Sequence, residues 1–162
     1  MQIWSITVDA VNNSISGGQP CVVEFGGSLA YGDVLTVEAQ ATDTWSFNAG
    51  ATPTNADGAM VTFGPDNREV TIDWSQFSPV SPVNPPAGSN ASAYRFGVGC
   101  LVGSMDGGNS FFAVGTRFST TYMGGTSPTA PSSLALYYWD GYTPDNDGTI
   151  TLTVQLTSPT AS

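Results

Sequence analysis

The chain contains no histidine and no lysine, and its only basic residues are three arginines. Without histidine, neither a Ser/His/Asp nor a Cys/His nucleophile can be assembled, and zinc sites that depend on imidazole are excluded. Thirteen acidic residues give a formal net charge of −10, which opposes binding to nucleic acid or to anionic membrane surfaces. The composition therefore favours a metal cation or a neutral molecule as the partner.

Cysteine is scarce as well, with Cys21 and Cys100 the only two in the chain. Both lie in apolar, strand-like runs, where a free cysteine packs as a small hydrophobic side chain. A disulfide between them is the alternative, because the sequence alone does not define the distance between the two thiols. Both states therefore stay open on the sequence.

Long apolar runs are missing too, and no segment approaches the length needed to cross a bilayer. Residues 1–4 lack the basic region and apolar core of a secretory signal. We expect an extracellular or cell-surface protein exported by a route without a recognisable signal peptide, with storage in the cytoplasm as the alternative.

Only 10% of the residues are charged, whereas Thr, Ser, Asn and Gly are abundant, a composition typical of β-sheets. Trp4, Ile6 and Val8 alternate with polar residues, which predicts a strand with one buried and one exposed face. Similar runs occupy residues 4–10, 21–25, 34–41, 44–47, 59–63, 70–74, 94–105, 111–114, 117–122, 133–140 and 149–156. Residues 1–162 are therefore predicted to form one all-β domain, an antiparallel β-sandwich of the jelly-roll kind.

The most acidic turn lies between the last two strand patterns. Residues 140–148 (DGYTPDNDG) contain three aspartates and one asparagine. Carboxylates this close repel one another unless water screens them or a cation lies among them, and Ca²⁺ binds roughly six to eight oxygens. The spacing is not that of an EF-hand, because strands flank the turn and no glutamate follows at the required distance. A solvated hairpin connection is the alternative, since the same residue types form ordinary turns.

The order of residues in this turn resembles the C-terminal calcium loop of the bacterial galactophilic lectins of the LecA type. Residues 99–105 (GCLVGSM) with 112–115 (FAVG), and the early strand at residues 32–37 (GDVLTV), are similar to segments of the same family. The resemblance implies a jelly-roll-like β-sandwich that binds carbohydrate through Ca²⁺, with galactose-type sugars as the expected ligands and no enzymatic activity. It also implies a homo-oligomer.

On this resemblance, the side chains of Asp140, Asp145 and Asn146 bind Ca²⁺ together with the main-chain carbonyl of Tyr142. A further carbonyl is expected from Trp45, in the turn after the early strand. Two carboxylates balance the charge of the ion, and the neutral oxygens complete the shell without adding repulsion. Two vicinal hydroxyls of a sugar are expected to fill the open positions and to hydrogen-bond to the same loop residues. Asp147 is interpreted as a turn former, and it is the alternative ligand if the register shifts by one residue.

The histidine and glutamine with which this family also contacts the sugar have no clear counterpart here. The corresponding stretch contains Thr54, Asn55 and Asp57, and Asp57 is expected to replace the glutamine, with Thr54 or Asn55 nearby. The preference for galactose is therefore open. Tyr142 is also a candidate for stacking on a sugar face, although core packing is the alternative role for each aromatic ring.

Residues 64–93 depart from the family pattern and are interpreted as an insertion. It is either a surface decoration or a lid or subunit contact beside the ligand site, with Trp74 and Phe77 as the residues of interest.

Two other classes of function are compatible with the same turn. A structural or assembly subunit of a fibre or shell would use calcium only to rigidify the sandwich. An enzyme is disfavoured, because Asp140 and Asp145 could serve as a glycosidase pair only if one were protonated, and a metal-bound carboxylate is held ionised.

Overall fold

The computed structural model describes residues 1–40, 42–50, 53–59, 61–63, 69–72, 77–79, 91–125 and 129–159. Within these residues the chain is all β and has no α-helix, which confirms the predicted fold class. No helix in this part of the chain is long and apolar enough to cross a membrane. The strands are β1 (Gln2–Asp9), β2 (Cys21–Glu24), β3 (Val34–Ala39), β4 (Trp45–Ser46), β5 (Pro53–Thr54), β6 (Val61–Phe63), β7 (Glu69–Ile72), β8 (Phe77–Pro79), β9 (Arg95–Gly97), β10 (Leu101–Ser104), β11 (Phe112–Ala113), β12 (Arg117–Thr121), β13 (Ser133–Tyr138) and β14 (Asp147–Thr157).

The first sheet is built around the long strand β14. Its strand order is β12-β3-β14-β4-β5, and β1 also pairs with β14. Residues 152–156 of β14 pair with β1 and with β3 at the same time, so these two strands flank it. The Thr-rich alternation of β14 explains this central place, because Ile150, Leu152 and Val154 are buried while the threonines between them stay accessible.

The second sheet has the order β11-β10-β13-β2, and all of its pairs are antiparallel. Its inward side chains, such as Val23, Leu101 and Leu136, form one core cluster with Val37 and Leu152 of the first sheet. The two sheets therefore pack face to face as a sandwich.

The second sheet is also covered on its outer face. Tyr137 and Trp139 lie there with Phe111, and Tyr94 and Phe96 pack against them. Rings of Phe96 and Trp139 meet edge to face with centroids 4.8 Å apart. Burial on both faces explains why residues 134–139 form a continuous apolar run.

One predicted strand is wrong in extent. The run at residues 94–105 is divided into β9 and β10 by a turn at residues 98–99. Gly99 adopts φ +78°, a left-handed conformation that breaks the strand and favours glycine. Of the residues of interest in the predicted insertion, Phe77 begins β8, whereas Trp74 lies outside the described residues.

Both cysteines are free thiols. The Cys21 thiol donates a hydrogen bond to the Thr7 carbonyl oxygen at 3.6 Å. Cys100 is buried, and burial, with a smaller contribution from the Asp57 carboxylate, raises its pKa to about 12. The Cys100 thiol is therefore protonated at neutral pH and is a poor nucleophile.

Candidate metal centre

The acidic turn lies at one end of the sandwich, where the chain crosses from β13 in the second sheet to β14 in the first. Asp140 follows β13 and is only 7% exposed. A short 3-10 turn at Thr143–Asp145, with Pro144 at its start, then leads to Asn146, which is also 7% exposed. The sequence thus folds this acidic segment inward instead of leaving it as a solvated hairpin connection.

Three side-chain oxygens of this turn are buried and accept no hydrogen bond: Asp140 Oδ2, Asp145 Oδ1 and Asn146 Oδ1. Leaving a buried acceptor unpaired costs roughly 1–3 kcal/mol, and more when the group is charged. A hard cation would satisfy all three at once, and carboxylate and amide oxygens are ligands that Ca²⁺ prefers. The donor set of this turn therefore fits the ion that the sequence predicts.

The charge of the candidate ligand set is limited to two carboxylates. No group of three or more His, Cys, Asp or Glu side chains placed to hold a metal occurs among the described residues. Neutral amide and carbonyl oxygens must therefore complete a coordination shell here. Two carboxylates are enough to balance one divalent cation.

The Asp140 carboxyl group shows how unfavourable this arrangement is without a counter-ion. Burial, with a smaller contribution from the nearby Asp145 carboxylate, raises its pKa to about 6. The N–H of Tyr142, which donates to Asp140 Oδ1 at 3.2 Å, opposes the shift, as do the N–H of Gly141 and the Asn146 side chain. Asp145 and Asn146 are therefore both near enough to influence the Asp140 carboxyl group.

Of the two predicted carbonyl donors, Tyr142 lies within the turn and Trp45 pairs with its last residue. Tyr142 immediately precedes the 3-10 turn, and its side chain is 62% exposed. Trp45 pairs with Gly148 of β14, and a Cβ atom at Gly148 would lie only 2.9 Å from Trp45 Cα. Glycine at the end of the turn therefore allows the main chain of Trp45 to approach it closely. The Trp45 ring is buried, and its Nε1–H donates to the Gly99 carbonyl at 2.8 Å.

The predicted sugar-loop residues are largely engaged within the protein. Asp57 accepts hydrogen bonds from the N–H of Thr116 at 2.7 Å and from its hydroxyl at 3.2 Å. Asn55 Oδ1 accepts the N–H of Asp57 at 2.9 Å. Thr54 differs, because its Oγ1 is buried without a partner. Of the three, Thr54 is the one with a buried side-chain oxygen that has no partner.

A second hydroxyl without a partner lies near Thr54. A Cβ atom built on Gly99 would lie 3.0 Å from Thr54 Oγ1 and 3.4 Å from the Tyr138 hydroxyl oxygen, which is also buried and unpaired. Burial, followed by the carboxylates of Asp140 and Asp145, raises the pKa of the Tyr138 phenol. Tyr138 therefore stays protonated and is a neutral donor close to the acidic turn.

A segment that the sequence did not identify holds the acidic turn from one side. Ser16 Oγ donates to the Gly141 carbonyl at 3.0 Å, and the Thr143 hydroxyl bonds to Ser14 Oγ at 3.3 Å and to the Ser16 carbonyl. Asn146 Nδ2 donates to the carbonyl of residue 10 at 3.0 Å, which leaves its Oδ1 free for the cluster. We name residues 10–16 the N-terminal clamp. Its only sequence signal is an alternation of serines around Ile15.

The opposite side of the turn is held by residues 46–50. The N–H of Ala49 donates to the Asp145 carbonyl. Ala49 itself adopts φ +56°, a left-handed conformation that is uncommon for a non-glycine residue. Backbone strain of this kind persists where surrounding contacts fix it, and here it lies against the candidate ligand Asp145.

No protein-family model matches the chain, and no curated protein matches its sequence. Among solved structures it is similar to one described as "EclA N-terminal domain; PllA-like lectin", with 21% identity, a TM-score of 0.49, and an alignment that covers 95% of this chain and 96% of that chain. Because the identity is below 25% and the TM-score below 0.5, this similarity by itself assigns no function.

Proposed function

We propose that this protein is a calcium-dependent carbohydrate-binding protein, a lectin, with its site in the turn between β13 and β14. The observation that carries the proposal is the cluster of three buried, unpaired oxygens on Asp140, Asp145 and Asn146. Such oxygens are unfavourable unless a cation or ordered water satisfies them, and a cation also offsets the charge of the two carboxylates. The same three residues are those at which the sequence resembles a known calcium loop.

Each loop residue has a distinct role in this proposal. Asp140 and Asp145 balance the charge of Ca²⁺, Asn146 adds a neutral oxygen, and the carbonyls of Tyr142 and Trp45 complete the protein ligands. Bound Ca²⁺ supplies positive charge and open coordination positions for two vicinal hydroxyls. The carboxylates then accept hydrogen bonds from the same hydroxyls, which makes sugar binding depend on their geometry.

The ligand we propose is a neutral, galactose-type sugar. A net charge of −10 opposes sialylated or sulfated glycans, which favours a neutral sugar. The exposed ring of Tyr142 adjoins the turn and offers an apolar face on which a sugar ring can pack. An extracellular or cell-surface location is part of the same proposal, and fractionation of the native source tests it.

Calcium should raise the melting temperature and switch on glycan binding together. Because Ca²⁺ binds the native turn and not the unfolded chain, a concentration of about one hundred times Kd should stabilise the fold by about 2.7 kcal/mol. Thermal melts in calcium and after chelation measure the first effect, and a glycan array under the same two conditions measures the second. A chain stabilised by calcium that binds no glycan would instead favour a structural subunit.

Removing the Thr143 hydroxyl should weaken calcium binding roughly two- to tenfold. Thr143→Val loses the bonds to Ser14 and Ser16 of the N-terminal clamp. In the metal-free variant the two carboxylates can then move apart, whereas the calcium-bound turn must stay closed, so the loss falls mainly on the bound form. Thr143→Ser keeps the hydroxyl and should bind calcium as the unaltered protein does. Calorimetric titration of both variants with calcium measures the two affinities. If Thr143→Val binds calcium as tightly as Thr143→Ser does, the clamp does not position the ligands.

A further inference from the structure

Among the strands of the described residues, β1 pairs only with β14, so its other side forms an open edge of the first sheet. The N–H of Ala10 donates to the Gly148 carbonyl at 3.0 Å, so even-numbered residues of β1 direct their main-chain groups towards β14. The N–H and C=O groups of Ile3, Ser5 and Thr7 therefore point away from the sheet. Within the described residues, these groups make one hydrogen bond, which the Thr7 carbonyl oxygen accepts from the Cys21 thiol.

This edge lacks the features that usually prevent strands from pairing with another chain. Residues 2–8 contain no charge, no proline and no bulge. Strand β12, at the opposite edge of the same sheet, is shorter and carries Arg117, whose Nε lies 3.3 Å from Glu38 Oε1. The difference indicates that the β1 edge is available for pairing and that the β12 edge is protected.

We propose that two copies of this chain pair through β1, antiparallel, about a two-fold axis at Ser5. In this register Ser5 faces Ser5, Ile3 faces Thr7 and Trp4 faces Ile6 of the second copy. The outward residues Ile3, Ser5 and Thr7 then exchange main-chain hydrogen bonds in pairs, because the same donors and acceptors face each other across the axis.

Two further observations favour a second copy as the occupant. No charged residue faces another across this register, although each chain carries a net charge of −10 and would repel its copy through most other surfaces. Trp4 and Ile6 pack against the core but are only partly buried, and Ile3 is 58% exposed. The second strand would cover apolar surface that the monomer leaves accessible. This inference does not depend on calcium or sugar binding.

Sedimentation velocity over a wide range of protein concentration tests the proposal. The unaltered chain should form a reversible dimer, because one strand pair buries less than a standard interface of roughly 1,600 Å². Ser5→Pro removes an outward N–H that the monomer does not use, and it should raise the dimer dissociation constant by at least about tenfold. Ser5→Lys should act in the same direction through like charges across the axis. Ser119→Pro makes the matched change at an outward position of β12 and should leave dimerisation unchanged.

Cross-linking tests the register. Directly opposed residues of a hydrogen-bonded antiparallel pair have Cα atoms about 5.5 Å apart, a separation that a short bifunctional thiol reagent can span. With Cys21→Ser in place, Ser5→Cys should give a covalent dimer with such a reagent, and Ser119→Cys should not. A chain that stays monomeric at every concentration, or a dimer that Ser5→Pro does not weaken, would overturn the proposed interface. Failure of Ser5→Cys to cross-link would overturn the register.

Discussion

Replacing Asp140 by Asn should abolish calcium binding, and with it calcium-dependent sugar binding, while the sandwich stays folded. The substitution leaves Asp145 as the only carboxylate of the cluster, and the calcium affinity of an oxygen site depends strongly on how many charged ligands it has. We expect the dissociation constant for calcium to rise by at least roughly two orders of magnitude. Calorimetric titration with calcium, followed by a galactoside-bearing glycan, measures both losses.

Asp147→Asn is the matched control for this substitution. Asp147 lies only seven residues further along the chain, but it is exposed, belongs to β14 and pairs with Ser46 instead of facing the cluster. Its neutralisation removes the same charge from the same turn and should change calcium affinity far less. If the two substitutions lower calcium affinity equally, the overall negative charge of the turn attracts the ion and no specific ligand set does. Sugar binding that survives Asp140→Asn would contradict the assigned ligand set.

The metal-free protein should become more stable as the pH falls from 7 towards 5. Burial raises the pKa of the folded Asp140 carboxyl to about 6 from an ordinary value of 3.8. The folded state therefore binds more protons than the unfolded state between these values, so the cost of the buried charge is present above pH 6 and disappears as the pH falls towards 4. The free-energy cost of the buried charge that corresponds to this pKa difference is about 3 kcal/mol.

Denaturant melts of protein depleted of calcium on a chelating resin, at several pH values between 5 and 7.5, measure this dependence. The chain has no histidine, so no imidazole contributes a step in this range. Asp140→Asn should remove the dependence and stabilise the metal-free protein at neutral pH by a similar amount. With calcium bound the sign should reverse, because the ion depresses the pKa of its carboxylate ligands and acid releases it. A metal-free protein that loses stability steadily from pH 7 to pH 5 would show that Asp140 is not the controlling group.

Local sequence was enough to determine the fold class and the position of the acidic turn. Residues that alternate along β1 and β14 alternate between buried and accessible positions, because side chains of a strand point to opposite faces. The lack of histidine excludes whole classes of catalysis whatever the fold, because no arrangement of strands can supply a missing imidazole. Asp140, Asp145 and Asn146 could be singled out because their spacing lies within one turn and resembles a known loop.

Contacts between distant residues decided everything that makes this turn a candidate site. The N-terminal clamp reaches Asn146 across 136 positions of the chain, and Asp57 is held by Thr116 across 59. No local pattern encodes such pairs, because they depend on which loops the two sheets bring to the same end of the sandwich. Burial of the Asp140 carboxyl, and with it the raised pKa from which we propose a cation, arises only when those loops close over the turn. Similarly, β1 has a free edge within the described residues because β14 is its one strand partner there, which is a property of strand order and not of β1 itself.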